Sequence, residues 1–129
     1  MTGLVIKSPW IDLILQGQKT WEIRGKNTAQ RGRIALIKSK SGCILGRCRL
    51  VDCVGPLSLE QLRETTEKHH IPLNGLTELP YEKTYAWVLA EPTLLAKPIP
   101  YKHPSGAVIW VRLTAQTVPD RLDEIESVV

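Results

Sequence analysis

The chain has 129 residues, enough for one domain with a genuine core and too few for two. An apolar share of 43% beside 23% charged residues excludes a disordered chain, and no apolar run approaches the roughly 20 residues that span a bilayer. The net charge of +4 is held unevenly: residues 1–60 carry ten Lys/Arg against four Asp/Glu, residues 61–129 seven against nine.

In chain order, Leu4–Ile6 reads as a short first strand. Ser8-Pro9 then opens a helix, with serine as cap and proline at the first helical position, where its missing N–H would be unpaired anyway. Trp10, Leu13 and Ile14 give the apolar stripe, and Gly17 the left-handed stop. Thr20–Arg24 is a second strand. Alternation puts Trp21 and Ile23 on its core face, with Thr20, Glu22 and Arg24 on the other. A polar loop follows over Gly25–Arg31.

Gly32–Lys40 alternates poorly but is rich in Ile, Leu and Ala, the pattern of a well-buried strand. After a Ser41-Gly42 turn, Cys43–Val54 is another strand, and Gly46 within it marks a bulge or a close backbone approach. Ser58-x-x-Gln61 is a capping box opening a helix to about His69. Residues 71–83 form a loop that could serve as a lid. Thr84–Leu89 and Val108–Leu113 are β-rich, while Pro92, Pro98, Pro100 and Pro104 between them argue against long central-strand pairing. From Thr114 the chain is acidic, and residues 114–129 are expected to be a peripheral tail with a short helix over Asp120–Ser127. These elements predict an α+β fold: a small, bent barrel of five to six strands with two to three short helices around a cleft.

Cys43, Cys48 and Cys53 recur every five residues, without a Cys-x-x-Cys pair or histidines at ligand spacing. Free thiols are expected, with no metal and no cofactor. The first ten residues show no basic stretch leading into an apolar one, so a cytoplasmic location is the expectation. The basic excess gathers between Lys19 and Arg49 and suggests a polyanionic partner, against the plainer reading of solvated strand faces. Within it, Lys19, Glu22 and Arg24 crowd into six positions. Glu22 and Arg24, two apart on one strand face, form a structural salt bridge or a recognition pair for phosphate and base edges. A cleft-held Lys19 is pulled down in pKa by Arg24 and up by Glu22, whereas phosphate binding needs no shift at all. Trp10 and Trp21 fit core positions better than base-stacking ones.

Several motifs in order resemble the ASCH domain family, of PUA-like fold: Pro9-Trp10, then Gly17-x-Lys19-x-x-Glu22-x-Arg24, Arg31-Gly32-Arg33, Gly46 with Leu50-Val51-Asp52-Cys53, and Ile109-Trp110-x-x-Leu113. The resemblance spans residues 4–113. It implies a PUA-like barrel with a cleft beside the signature, and either RNA binding or hydrolysis, the latter of N-acylated cytosine nucleosides or of RNA. The small deacylase branch carries threonine where Glu22 stands, and the match is closer to the branch found at the end of a transcription coactivator. On this reading Lys19, Thr20, Glu22, Arg24, Arg31, Arg33, Ser39 and Lys40 would bind RNA or a nucleoside or nucleotide ligand. If the chain is an enzyme, Lys19 and Glu22 would do the chemistry.

Overall fold

The computed structural model describes residues 1–119 and 121–126. The chain runs β1 (Thr2–Ile6), α1 (Trp10–Leu15), β2 (Trp21–Arg24), β3 (Gly32–Lys38), β4 (Cys43–Val54), α2 (Leu59–Arg63), α3 (Thr66–His69), a 3-10 turn (Leu73–Gly75), β5 (Tyr85–Pro100), β6 (Trp110–Arg112) and α4 (Leu122–Glu126). The six strands make one sheet in the order β2-β5-β4-β3-β1-β6, with β1 parallel to β3 and every other pairing antiparallel. Among the described residues no helix is long and apolar enough to cross a membrane.

Strand β3 shows why its sequence alternates poorly. Ile34, Ala35, Leu36 and Ile37 are all fully buried, but alternate residues enter different cores. Ile34 and Leu36 join Leu4, Ile6, Ile11, Ile14, Leu50 and Trp87; Ala35 and Ile37 join Ile44, Ile99, Val111, Val118 and Ile125. A strand covered on both faces gains by being apolar at every position. Gly46 on β4 serves both predicted purposes: the register shifts beside it, and a Cβ there would run into Leu15 and the Thr93 carbonyl.

The sheet curls into a half-barrel, the expected α+β fold, with four short helices instead of two to three. Its outer strands, β2 and β6, share no backbone pairing. Side chains span that seam: Arg24 Nη2 on β2 donates to the Val5 carbonyl on β1 at 3.0 Å, and Trp87 of β5 stacks on Trp110 of β6 with centroids 5.4 Å apart.

Four local expectations change. Pro9, not Ser8, occupies the N-cap of α1, and the Ser8 hydroxyl instead donates to Asp12 at 2.6 Å. The capping box of Ser58 and Gln61 is present, but the helix it opens stops at Arg63 and a separate turn, α3, continues to His69. Strand β5 runs straight through Pro92, Pro98 and Pro100. It can because β2 pairs only with residues 85–88, so the later half of β5 has a single strand partner, β4, and an open side.

The fourth change concerns the tail. Val118 and Ile125 are fully buried in the second core, so the described residues after Thr114 are packed into the domain and are not a peripheral tail. Two arginines hold it: Arg47 donates to the Ile125 carbonyl at 3.0 Å and Arg33 to that of Glu126 at 2.9 Å. The predicted terminal helix is present as α4; its expected end residues Asp120 and Ser127 lie outside the described residues. Truncating a fully buried isoleucine removes transfer energy and leaves a cavity, so Ile125→Ala should cost about 2–5 kcal/mol of unfolding free energy by urea titration. An unchanged midpoint would return the tail to the surface.

Candidate functional site

Helix α1 ends at Gly17, whose φ of 80° turns the chain so that Gln18 and Lys19 both donate backbone N–H bonds to the Leu13 carbonyl. That turn aims the Lys19 side chain under the start of β2. Its ammonium donates to the carbonyls of Trp21 (2.5 Å) and His69 (2.9 Å), lies 3.5 Å from Glu22 Oε1, and sits 5.0 Å from the centroid of Trp10. Only 3% of Lys19 is exposed. Burial holds its pKa below the ordinary lysine value, with Arg24 pushing the same way and Glu22 opposing.

Glu22, 6% exposed, divides its carboxylate between two cations. Oε1 faces Lys19, while Oε2 accepts from Arg24 Nε at 3.0 Å and Nη2 at 2.8 Å. Arg24 also lies 5.5 Å over the Trp87 ring. Its Nη1 has no protein partner among the described residues.

These three head groups line an open cleft of about 440 Å3 in the seam of the half-barrel. Val5 and Lys7 form the β1 side, Trp10 and Ser39 another wall, and Ile71, Pro80 and Tyr81 come from the loop before β5. Among the predicted site residues, Lys19, Glu22, Arg24 and Ser39 meet here. Thr20, Arg31, Arg33 and Lys40 do not line it. Thr20 is exposed and borders a smaller cavity with Gly17 and Leu89; its backbone bonds Lys68 and Leu89. Arg31 donates to the carbonyls of Thr28 and Gln30 and lies 3.9 Å from Asp52. Arg33 secures α4, and Lys40 sits in the exposed β3–β4 turn with φ 64°. The basic run is thus largely spent on structure: Arg47 is buried against α4 and Arg49 pairs with Glu91 at 3.1 Å.

Two polar cleft residues, Lys7 and Tyr81, escaped the sequence reading. Lys7 lies two positions beyond Val5, and the alternation that buries Leu4 and Ile6 places Val5 and Lys7 on the opposite face. That signal was available. Tyr81 comes from a loop without periodicity, so nothing local marks it. Trp10 combines two roles, packing against the first core and lining the cleft.

The site rests on His69, which is fully buried. Its Nδ1 accepts from the Ile71 N–H at 2.9 Å, so the proton is on Nε2 and is donated to the Leu62 carbonyl at 2.7 Å. Burial lowers its pKa from 6.5, with the nearby Lys19 contributing in the same direction. A depressed histidine leaves stability intact above pH 6.5. Below it the unfolded chain takes up the proton first, and stability is lost as pH falls toward the folded-state pKa. The urea midpoint of the native chain should therefore drop below pH 6.5 more steeply than that of His69→Gln, whose amide can serve both hydrogen bonds. Parallel pH profiles would contradict this.

Known proteins agree with this architecture. The family model for the ASCH domain matches residues 4–99. The crystal structure of ASCH from Zymomonas mobilis superposes with a TM-score of 0.68 at 16% identity, covering 88% of this chain and 87% of that one. Crystal structures of two mutants of that protein each give a TM-score of 0.67 at 16% identity, covering 89% of this chain and 91% and 89% of theirs. At that identity the likeness is one of fold alone. No curated protein matches the sequence. With the family model spanning most of the chain, this protein belongs to the ASCH domain family.

Proposed function

We propose that the cleft binds the phosphate-bearing part of RNA or of a nucleotide. The observation that carries this reading is a surplus of cation: Lys7, Lys19 and Arg24 face a single carboxylate, Glu22. Lys19 is occupied by Trp21, His69 and Glu22, so it fixes the wall of the cleft and does not contact the ligand with a free proton. The ligand-facing donors are the Lys7 ammonium, for which no described residue supplies a partner, and Arg24 Nη1. The Ser39 hydroxyl adds a further donor. Glutamate at position 22 of the signature supports a place within the family nearest the coactivator-type branch.

Two ligand-facing cations imply few phosphate contacts. For single strands, two contacts predict a fall in affinity of about sevenfold between roughly 50 and 200 mM salt. Titrating labelled single-stranded RNA over that range checks this, and Lys7→Gln should weaken binding and flatten the salt dependence by about half. Unmeasurable or salt-indifferent binding by the native chain would reject the reading.

The lowered Lys19 pKa favours a second reading, a small hydrolase acting on N-acylated cytidine or on RNA. There Lys19 would activate water or an attacking group, with Glu22 as acid/base 3.5 Å away. On this reading Lys19→Ala abolishes turnover of those substrates, and circular dichroism checks that the fold survives the loss of one of the two cations beside Glu22. A native chain that turns over neither substrate leaves binding as the function.

A further inference from the structure

Beside the charged cleft lies a second cavity of about 510 Å3, walled by the rings of Tyr81, Trp87 and Trp110 and floored by the turn from Gly25 to Thr28. Arg24, Tyr81 and Ile109 line both cavities, so the two adjoin, one charged and the other aromatic. We propose that the aromatic end takes the flat heteroaromatic base of a nucleotide, stacked on Trp110, while its phosphate lies toward Arg24 and Lys7. This rests on the anion-binding reading of the cleft and names what the rest of that ligand is.

The rings are held in advance. Trp87, only 3% exposed, donates from Nε1 to the Lys26 carbonyl at 2.9 Å and carries Arg24 over its ring. It stacks on Trp110 with 10° between the planes, which fixes the tilt of the partly buried Trp110. A ring already fixed loses little freedom on binding, and aromatic stacking accepts any base because every base has a π-face. Tyr81 is 43% exposed at the junction of the two cavities. Gly25 makes room for it, since a Cβ there would stand 2.8 Å from Tyr81 Cδ1. Val108, 76% exposed on the rim of the charged cleft, adds to the apolar surface beside the junction. An aliphatic ligand would fill the same space without using the flat ring of Trp110. A bare phosphate would leave the aromatic end empty.

Calorimetric titration of the full chain with the four ribonucleoside 5′-monophosphates and with ribose 5-phosphate separates the two ends. At least one monophosphate should bind more tightly than ribose 5-phosphate. Trp110→Ala should erase that advantage, a loss of about ten- to a hundredfold, while leaving ribose 5-phosphate binding unchanged. Trp110→Phe, which keeps a stacking face, should restore most of it. Should Trp110→Ala disturb the fold by circular dichroism, Tyr81→Ala removes an exposed ring and should reduce the same advantage. Monophosphates that bind no better than ribose 5-phosphate, or variants that weaken both probes equally, overturn the base subsite and leave the anion reading standing. If neither probe binds the native chain, both readings fall.

Discussion

The carboxylate of Glu22 is the point on which this site turns. It sits almost out of water between Lys19 and Arg24, and each of those cations continues to a carbonyl on a different element: Lys19 to His69 at the end of α3, Arg24 to Val5 on β1. A carboxylate buried this far costs several kcal/mol in lost hydration, and the cost is offset only while both cations and their hydrogen bonds stay in place. The arrangement therefore acts less as a source of net stability than as a three-way joint. It fixes β2 against the far side of the curled sheet and keeps the seam at a set width. Among the described residues no buried side-chain nitrogen or oxygen lacks a partner, as such a joint requires.

An open seam also explains where the cleft is. A fully hydrogen-bonded barrel of this size would fill its interior with side chains. Here β2 and β6 are not paired, and the space between them is bridged by one arginine and one pair of stacked indoles. What lies between those bridges is open to solvent and lined by groups from both edges. The cleft arises where the sheet fails to close.

The local parts of this picture were legible in the sequence. Glu22 and Arg24 two apart on a strand face, the stop at Gly17, the capping box at Ser58 and the doubly buried run from Ile34 to Ile37 each depend on periodicity or on one turn. The parts that were not legible depend on neighbours far along the chain. A proline's tolerance in β5 is set by how short β2 is, which no window around Pro92 contains. Counting cations from Lys19 to Arg49 overstated the basic surface, because the carbonyls of α4 that take up Arg33 and Arg47 lie about eighty or more residues away. The acidic tail read as peripheral because its charges outnumber its two anchoring residues, Val118 and Ile125. At the site, Lys7 could have been found from strand alternation, whereas Tyr81 is placed by the shape of a loop.

The prolines carried within β5 have a consequence for how copies of this protein meet. Beyond the reach of β2, the outer side of that strand would present a row of backbone donors, the template on which a stray strand nucleates intermolecular sheet. Pro92, Pro98 and Pro100 carry no N–H, so the stretch from Glu91 to Pro100 holds no long uninterrupted ladder to extend. The half-barrel can thus leave its seam open while its longest bare edge discourages aggregation.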